Sequence, residues 1–98
     1  MKRGHQGKTD TNQAAVVEAL VAVGAYVQSL AAVGAGCPDL LVGFRRKTFL
    51  LEVKDGSKVP SERLLAPLQK RFFVNWRGGP LFKVESPAEA LRVIGAVL

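Results

Sequence analysis

Hydrophobic and polar positions alternate with different periods along this chain, and each change of period marks a predicted element. From Ala14 to Val23 every residue is apolar or small except Glu18. Thr9 or Asp10 can cap a helix over this stretch, and Gly24 can end it. Ala25 to Leu30 is a short strand with Tyr26 and Val27 as its best strand formers. Gly34 and Gly36 loosen the next link. Asp39–Phe44 and Lys47–Lys54 then read as two strands of a hairpin. In the second, Phe49, Leu51 and Val53 face one way, and Leu50, Glu52 and Lys54 the other.

Asp55-Gly56-Ser57 is a turn signal, and residues 55–66 form a polar loop or partly helical link. Pro67 suits the first turn of a helix that continues to about Trp76, where Gly78-Gly79-Pro80 stops it. Leu81–Val84 is a last strand. Ser86-Pro87-Ala88-Glu89 reads as a capping box with proline at the first helical position. The final helix carries Ala90, Leu91, Val93 and Ile94. The order is helix, three strands, helix, strand, helix. It predicts an α/β domain, with helices over both faces of a small mixed sheet.

The hairpin register follows from the turn. A two-residue turn at Arg45-Arg46 puts Phe44 opposite Lys47, and counting outward puts Asp39 opposite Glu52. A four-residue turn closed by Gly43 and Thr48 keeps the same register. Arg-Arg is not a favoured type I′ pair, which points to the longer turn. Side chains directly opposed across a ladder have Cβ atoms roughly 4.5–5.5 Å apart. Two carboxylates that close repel unless one is protonated or a cation lies between them. Lys54, two residues after Glu52, points to the same face. Two acids and a lysine on one sheet face suggest a divalent-metal site with a cation beside it. Singly, Asp39 also reads as a turn aspartate after Pro38, and Glu52–Lys54 as a surface ion pair. Glu18 has only Ala14, Ala15, Val21 and Ala22 at helical spacing, with no basic partner. It is either a solvent-facing glutamate or a third acid over the hairpin.

Composition narrows the function classes. The 98 residues make one domain, with residues 1–8 as a flexible basic tail and 9–98 as the folded unit. A domain this small buries about 60–70% of its unfolded surface, so a dimer would help it. A hydrophobic content of 48% excludes general disorder. No apolar stretch is long and uninterrupted enough to span a bilayer, and the polar start has no signal core. A cytosolic location is expected. The lone Cys37 excludes an intrachain disulfide and a cysteine-cluster zinc site. His5 has no partner at ligand spacing. The net charge of +6 is the footprint of a polyanion partner. Phe72, Phe73 and Trp76 stand at helical spacing and are expected in the core or a dimer interface rather than stacked on bases.

Together, Pro38-Asp39 and Glu52-Val53-Lys54 resemble the PD-(D/E)XK nuclease superfamily. The wider context resembles its VRR-NUC branch, in the short stand-alone form of phages and bacteria. That pattern has a helix bearing an acid, for which Glu18 would serve. A Gly-x-Pro-Asp-Leu segment follows, matched by Gly36-Cys37-Pro38-Asp39-Leu40. A Glu-x-Lys strand comes next, then a helix bearing a glutamine, for which Gln69 is the candidate, although its flanks Ala66-Pro67-Leu68 depart somewhat from the usual pattern. The resemblance spans residues 9–97 and implies a restriction-endonuclease-like core with a Mg²⁺- or Mn²⁺-dependent endonuclease activity on DNA.

In that reading Asp39, Glu52 and the carbonyl of Val53 hold the ion, Glu18 joins them directly or through water, Lys54 orients water or stabilises developing charge, and Gln69 holds the geometry. Arg45, Arg46, Lys47, Lys70 and Arg71 are candidates for phosphate contacts, with Lys58 and Arg63 left open. The resemblance also implies a homodimer acting on branched DNA in the manner of Holliday-junction resolvases, in the cytoplasm of a bacterium or of a phage-infected cell. The alternatives are a non-catalytic DNA-binding or assembly module, which should have lost an acid or the lysine, and a metal-stabilised protein-interaction domain, which would not need the charge.

Overall fold

The β-hairpin sets the frame. In the computed structural model, which describes the backbone of residues 4–97 and the side chains of residues 12–97, Phe44 pairs with Lys47 and the antiparallel ladder runs to Leu40 opposite Leu51. The turn is the short one, contrary to the expectation of a longer loop. Arg45 and Arg46 both take left-handed conformations, with φ of 50° and 69°. Each costs an L-residue roughly 1–2 kcal/mol. Two contacts offset part of that cost. The Arg45 guanidinium stands 4.8 Å from the centre of the Phe44 ring, and its Nη1 donates to the carbonyl of Gly95 at 3.3 Å.

The chain order is α1 (Gly4–Ala22), β1 (Tyr26–Ser29), β2 (Leu40–Phe44), β3 (Lys47–Val53), a 3₁₀ turn at Pro60–Arg63, α2 (Pro67–Asn75), β4 (Leu81–Val84) and α3 (Pro87–Val93). The four strands lie in chain order. β1–β2 and β2–β3 are antiparallel, and β3–β4 is parallel with Glu52 opposite Lys83. The parallel pair requires a crossover, which the 3₁₀ turn and α2 supply.

α1 begins at Gly4, ahead of the cap expected at Thr9 or Asp10, so the backbone of residues 4–8 belongs to the helix. Residues 1–3 of the expected tail, and the side chains of His5, Thr9 and Asp10, lie outside the described residues. α3 starts as expected. Ser86 Oγ accepts from the Glu89 amide at 3.1 Å. The returning half of the box is displaced by one residue, because Glu89 Oε1 accepts from the amide of Glu85 rather than of Ser86.

One face of the sheet builds the core. Leu40, Val42 and Phe44 of β2 and Phe49 and Leu51 of β3 alternate onto it, with Val84 from β4. Val16 and Leu20 of α1, and Ala90 of α3 with Ile94 at its C-cap, close over them, each pair four residues apart and so on one helical stripe. α2 lies on the other side of the sheet and has no buried residue. Phe72 and Phe73 are half-buried and Trp76 is exposed, so these aromatics do not join the core.

The strained turn makes a specific prediction. Arg45→Asn together with Arg46→Gly supplies residues that accept positive φ. A net gain of about 1 kcal/mol is expected, a rise of roughly 4–8 °C in Tm by calorimetry. An unchanged or lower Tm would show that the contacts of Arg45 outweigh the backbone strain.

Candidate functional site

One step beyond Leu40–Leu51, the register places Asp39 opposite Glu52, on the face away from the core. Asp39 does not hang free. Its Oδ2 accepts from the amide of Val53 at 2.7 Å, which continues the ladder with a side chain where the main chain leaves it. Glu52 is 2% exposed. Its Oε2 accepts from Gln69 Nε2 at 3.0 Å and lies 3.8 Å from the ammonium of Lys54. Its Oε1 is buried and has no hydrogen-bond partner among the described residues. Burial, and secondarily the negative charge of Asp39, pushes the Glu52 carboxyl up to about 8, with Lys54 pulling the other way.

Gln69 links the two charged groups. Its Oε1 accepts from Lys54 Nζ at 2.9 Å and from the amide of Ala66 at 2.8 Å, while its Nε2 holds Glu52. The same oxygen therefore caps the first turn of α2 and fixes the lysine. Gly36 makes this placement possible. Its φ is +82°, and a Cβ there would come within 2.3 Å of the Leu68 carbonyl, so the loop before Asp39 can lie against the start of α2 only as glycine.

The four groups border an open cleft of about 480 Å³. α1 enters it through Asn12 and Gln13. Asn12 Nδ2 donates to the carbonyl of Lys54 at 2.7 Å, which anchors the end of β3. Asp55, Lys58 and Glu62 border the cleft from the loop after β3. Arg63 and Lys83 hold that loop against β4. Arg63 Nη1 lies 3.0 Å from Glu85 Oε1, Lys83 Nζ lies 3.2 Å from Glu85 Oε2, and Lys83 Nζ donates to the carbonyl of Arg63 at 3.0 Å.

Glu18 is a correction. It is exposed and does not border the cleft. The face of α1 that meets the sheet carries Val16 and Leu20, and Glu18 projects about 200° from Val16 around the helix. Asn12, one turn before Val16, lies on the inward stripe instead. An i, i+4 continuation of that stripe toward the N-terminus was the signal that could have found it. Arg45, Arg46 and Lys47 are exposed at the hairpin tip, about 17 Å along β3 from Glu52, and Lys70 and Arg71 are exposed on α2.

Among the described residues no three His, Cys, Asp or Glu side chains converge on one point. A cation here would rest on Asp39, Glu52, backbone oxygen and water. That donor set suits a hard ion that retains several waters. The unpartnered Oε1 and the upward shift of Glu52 are both what a cation between the two acids would relieve, so the residues present fit such an ion.

An antiparallel hairpin feeding a parallel strand pair, with acids where the strands meet and a crossover helix lending a glutamine, defines the restriction-endonuclease-like class of nuclease domains. A solved structure described as a VRR_NUC domain matches this chain over 93% of its length and 98% of its own, with a TM-score of 0.67 and 29% sequence identity. The chain is thus similar to a VRR-NUC domain over nearly its whole length, and its fold is of the nuclease type. No family model and no curated protein sequence matches it. Among the described residues no helix is long and apolar enough to cross a membrane.

Two predictions follow from this geometry. Glu52 binds its proton more tightly folded than unfolded. Its contribution to stability is therefore complete below about pH 4.5 and lost as pH rises toward 8 and beyond. In chelator, Tm should fall between pH 5 and 9 more steeply for the wild type than for Glu52→Gln, and Mg²⁺ or Mn²⁺ should recover the loss at the upper end. Parallel slopes for the two proteins would remove Glu52 as the cause. Separately, Gly36→Ala should cost about 1–3 kcal/mol in urea unfolding, because φ and the Leu68 carbonyl both oppose a side chain.

Proposed function

We propose that this domain is a Mg²⁺- or Mn²⁺-dependent endonuclease that hydrolyses phosphodiesters of branched or structured DNA as a homodimer. The observation that carries the reading is Glu52 Oε1, a buried carboxylate oxygen without a hydrogen-bond partner among the described residues, facing a second acid at the edge of an open cleft. A chain with a net charge of +6 around such a cleft suits a polyanionic substrate that must approach two carboxylates.

Asp39, Glu52 and the Val53 carbonyl would hold the ion, which supplies Lewis-acid polarisation of the phosphodiester and of water. Lys54 presents an ammonium that stabilises negative charge as it develops on the phosphorus oxygens. Gln69 keeps that ammonium beside Glu52 and leaves Glu52 Oε1 free of the protein. Asp39 ties its own carboxylate to β3 through the Val53 amide, so the two acids cannot swing apart. Arg45, Arg46, Lys47, Lys70 and Arg71 supply exposed cations for the sugar–phosphate backbone, and Lys58 adds one at the cleft itself. Two copies would set two sites for paired cuts, which suits a branched DNA with two strands to cut.

The test is cleavage of a four-way junction and a matched linear duplex with Mg²⁺ or Mn²⁺. Asp39→Asn should abolish cutting, and Lys54→Ala should slow it by about 10²–10³-fold, with binding of both DNAs largely retained. Undiminished cutting by these variants would exclude the proposed site, while preference for the linear duplex would reject the junction reading alone.

A further inference from the structure

The aromatic residues of α2 remain unexplained by the core and by the acids. Phe72 and Trp76 stack with ring centroids 5.4 Å apart and planes 16° from parallel. Trp76 is 38% exposed, although an unsupported indole at a surface is unfavourable. The ring is nevertheless held in place. Its Nε1 donates to the carbonyl of Gly79 at 2.8 Å, and Gly78 lies so close that a Cβ there would come within 2.3 Å of the ring. The helix ends in a rigid aromatic surface rather than a loose side chain.

Its surroundings indicate what it meets. Residues 67–80 contain Lys70, Arg71 and Arg77 and no acid. Gln69 and Phe72 lie on one stripe of the helix that Trp76 continues at the C-cap, while Lys70 and Arg71 stand about 100° round the helix beyond its two edges, and Arg77 follows Trp76 directly. A symmetric contact with a second copy would press this cationic patch against itself, which argues against self-association here. A polyanion with flat apolar groups suits both features. Bases within a duplex have their faces covered by their neighbours, so an unpaired base offers the free π-face that an aromatic surface can take.

We propose that the Phe72–Trp76 stack is a platform for an unpaired base of the DNA strand being cut. The placement rests on the nuclease reading above, because Trp76 follows Gln69 by about 10 Å of helix, the axial span of roughly three stacked nucleotides. The platform would thus read single-stranded character next to the cut, and it makes a branched or frayed substrate preferable to an intact duplex.

Trp76 is the only tryptophan, so its fluorescence reports on this surface directly. The experiment titrates the Glu52→Gln protein with a short oligo-dT strand, a four-way junction and a blunt duplex, following emission and DNA anisotropy together. Emission should be quenched by at least about half at saturation with the single strand and the junction, and little with the duplex. Trp76→Leu should weaken single-strand binding roughly 5- to 100-fold and leave duplex binding within about twofold. Saturation by anisotropy with unchanged emission would overturn the platform. So would an emission shift with protein concentration alone, which would assign the surface to a second copy. Wild-type cutting in the same buffers separates the two ideas: cutting without quenching leaves the nuclease reading and removes the platform, and quenching without cutting does the reverse.

Discussion

Glu52 has one carboxylate oxygen held by Gln69 and another that meets no protein donor, in a position almost closed to water. Placing such a group there is costly. The cost is imposed by the hairpin, because the register that puts Leu40, Val42, Phe49 and Leu51 into the core also puts Asp39 and Glu52 side by side on the reverse face. Slipping the pairing by one residue would relieve the acids only by turning the core residues out to solvent. The apolar face thus holds the polar face in an arrangement it would not adopt alone.

Parts of the chain far apart in sequence meet at that reverse face, each secured by a contact of its own. Asn12 fastens the end of β3 to α1. The Val53 amide fastens Asp39. Gly36 lets the loop before Asp39 touch the first turn of α2. The Arg63–Glu85–Lys83 cluster fastens the loop that carries Lys58 and Glu62. None of these contacts buries much apolar surface, so they add little to stability but fix the positions of groups that must act together.

Much of this was legible in the sequence because strand alternation is a strong local signal. The opposition of Asp39 and Glu52, the side taken by Lys54, and the limits of β4 follow from period and turn chemistry. Gln69 was legible only through its family resemblance, since nothing in its helix announces a partner in β3. Two readings failed for identifiable reasons. The apolar neighbours of Glu18 single it out but leave it open between solvent and the hairpin, and helix phase decides for solvent while placing Asn12 on the inward stripe. The turn was judged by residue preference, and Arg45-Arg46 adopts a strained conformation that tertiary contacts with Phe44 and Gly95 support. The aromatics at the end of α2 have the spacing of a core stripe, and only the three-dimensional structure shows that Phe72 and Phe73 are half-covered and that Trp76 stays partly exposed.

Gln69 Oε1 serves both the Ala66 amide and the Lys54 ammonium. The opening of a helix and the arming of a site are thereby made one event. A fluctuation that frays the front of α2 also releases the lysine and leaves Glu52 without its only neutral partner. The arrangement of Lys54 beside Glu52 should therefore loosen on warming before the sheet itself comes apart, with the helix start behaving as a thermal fuse upstream of global melting.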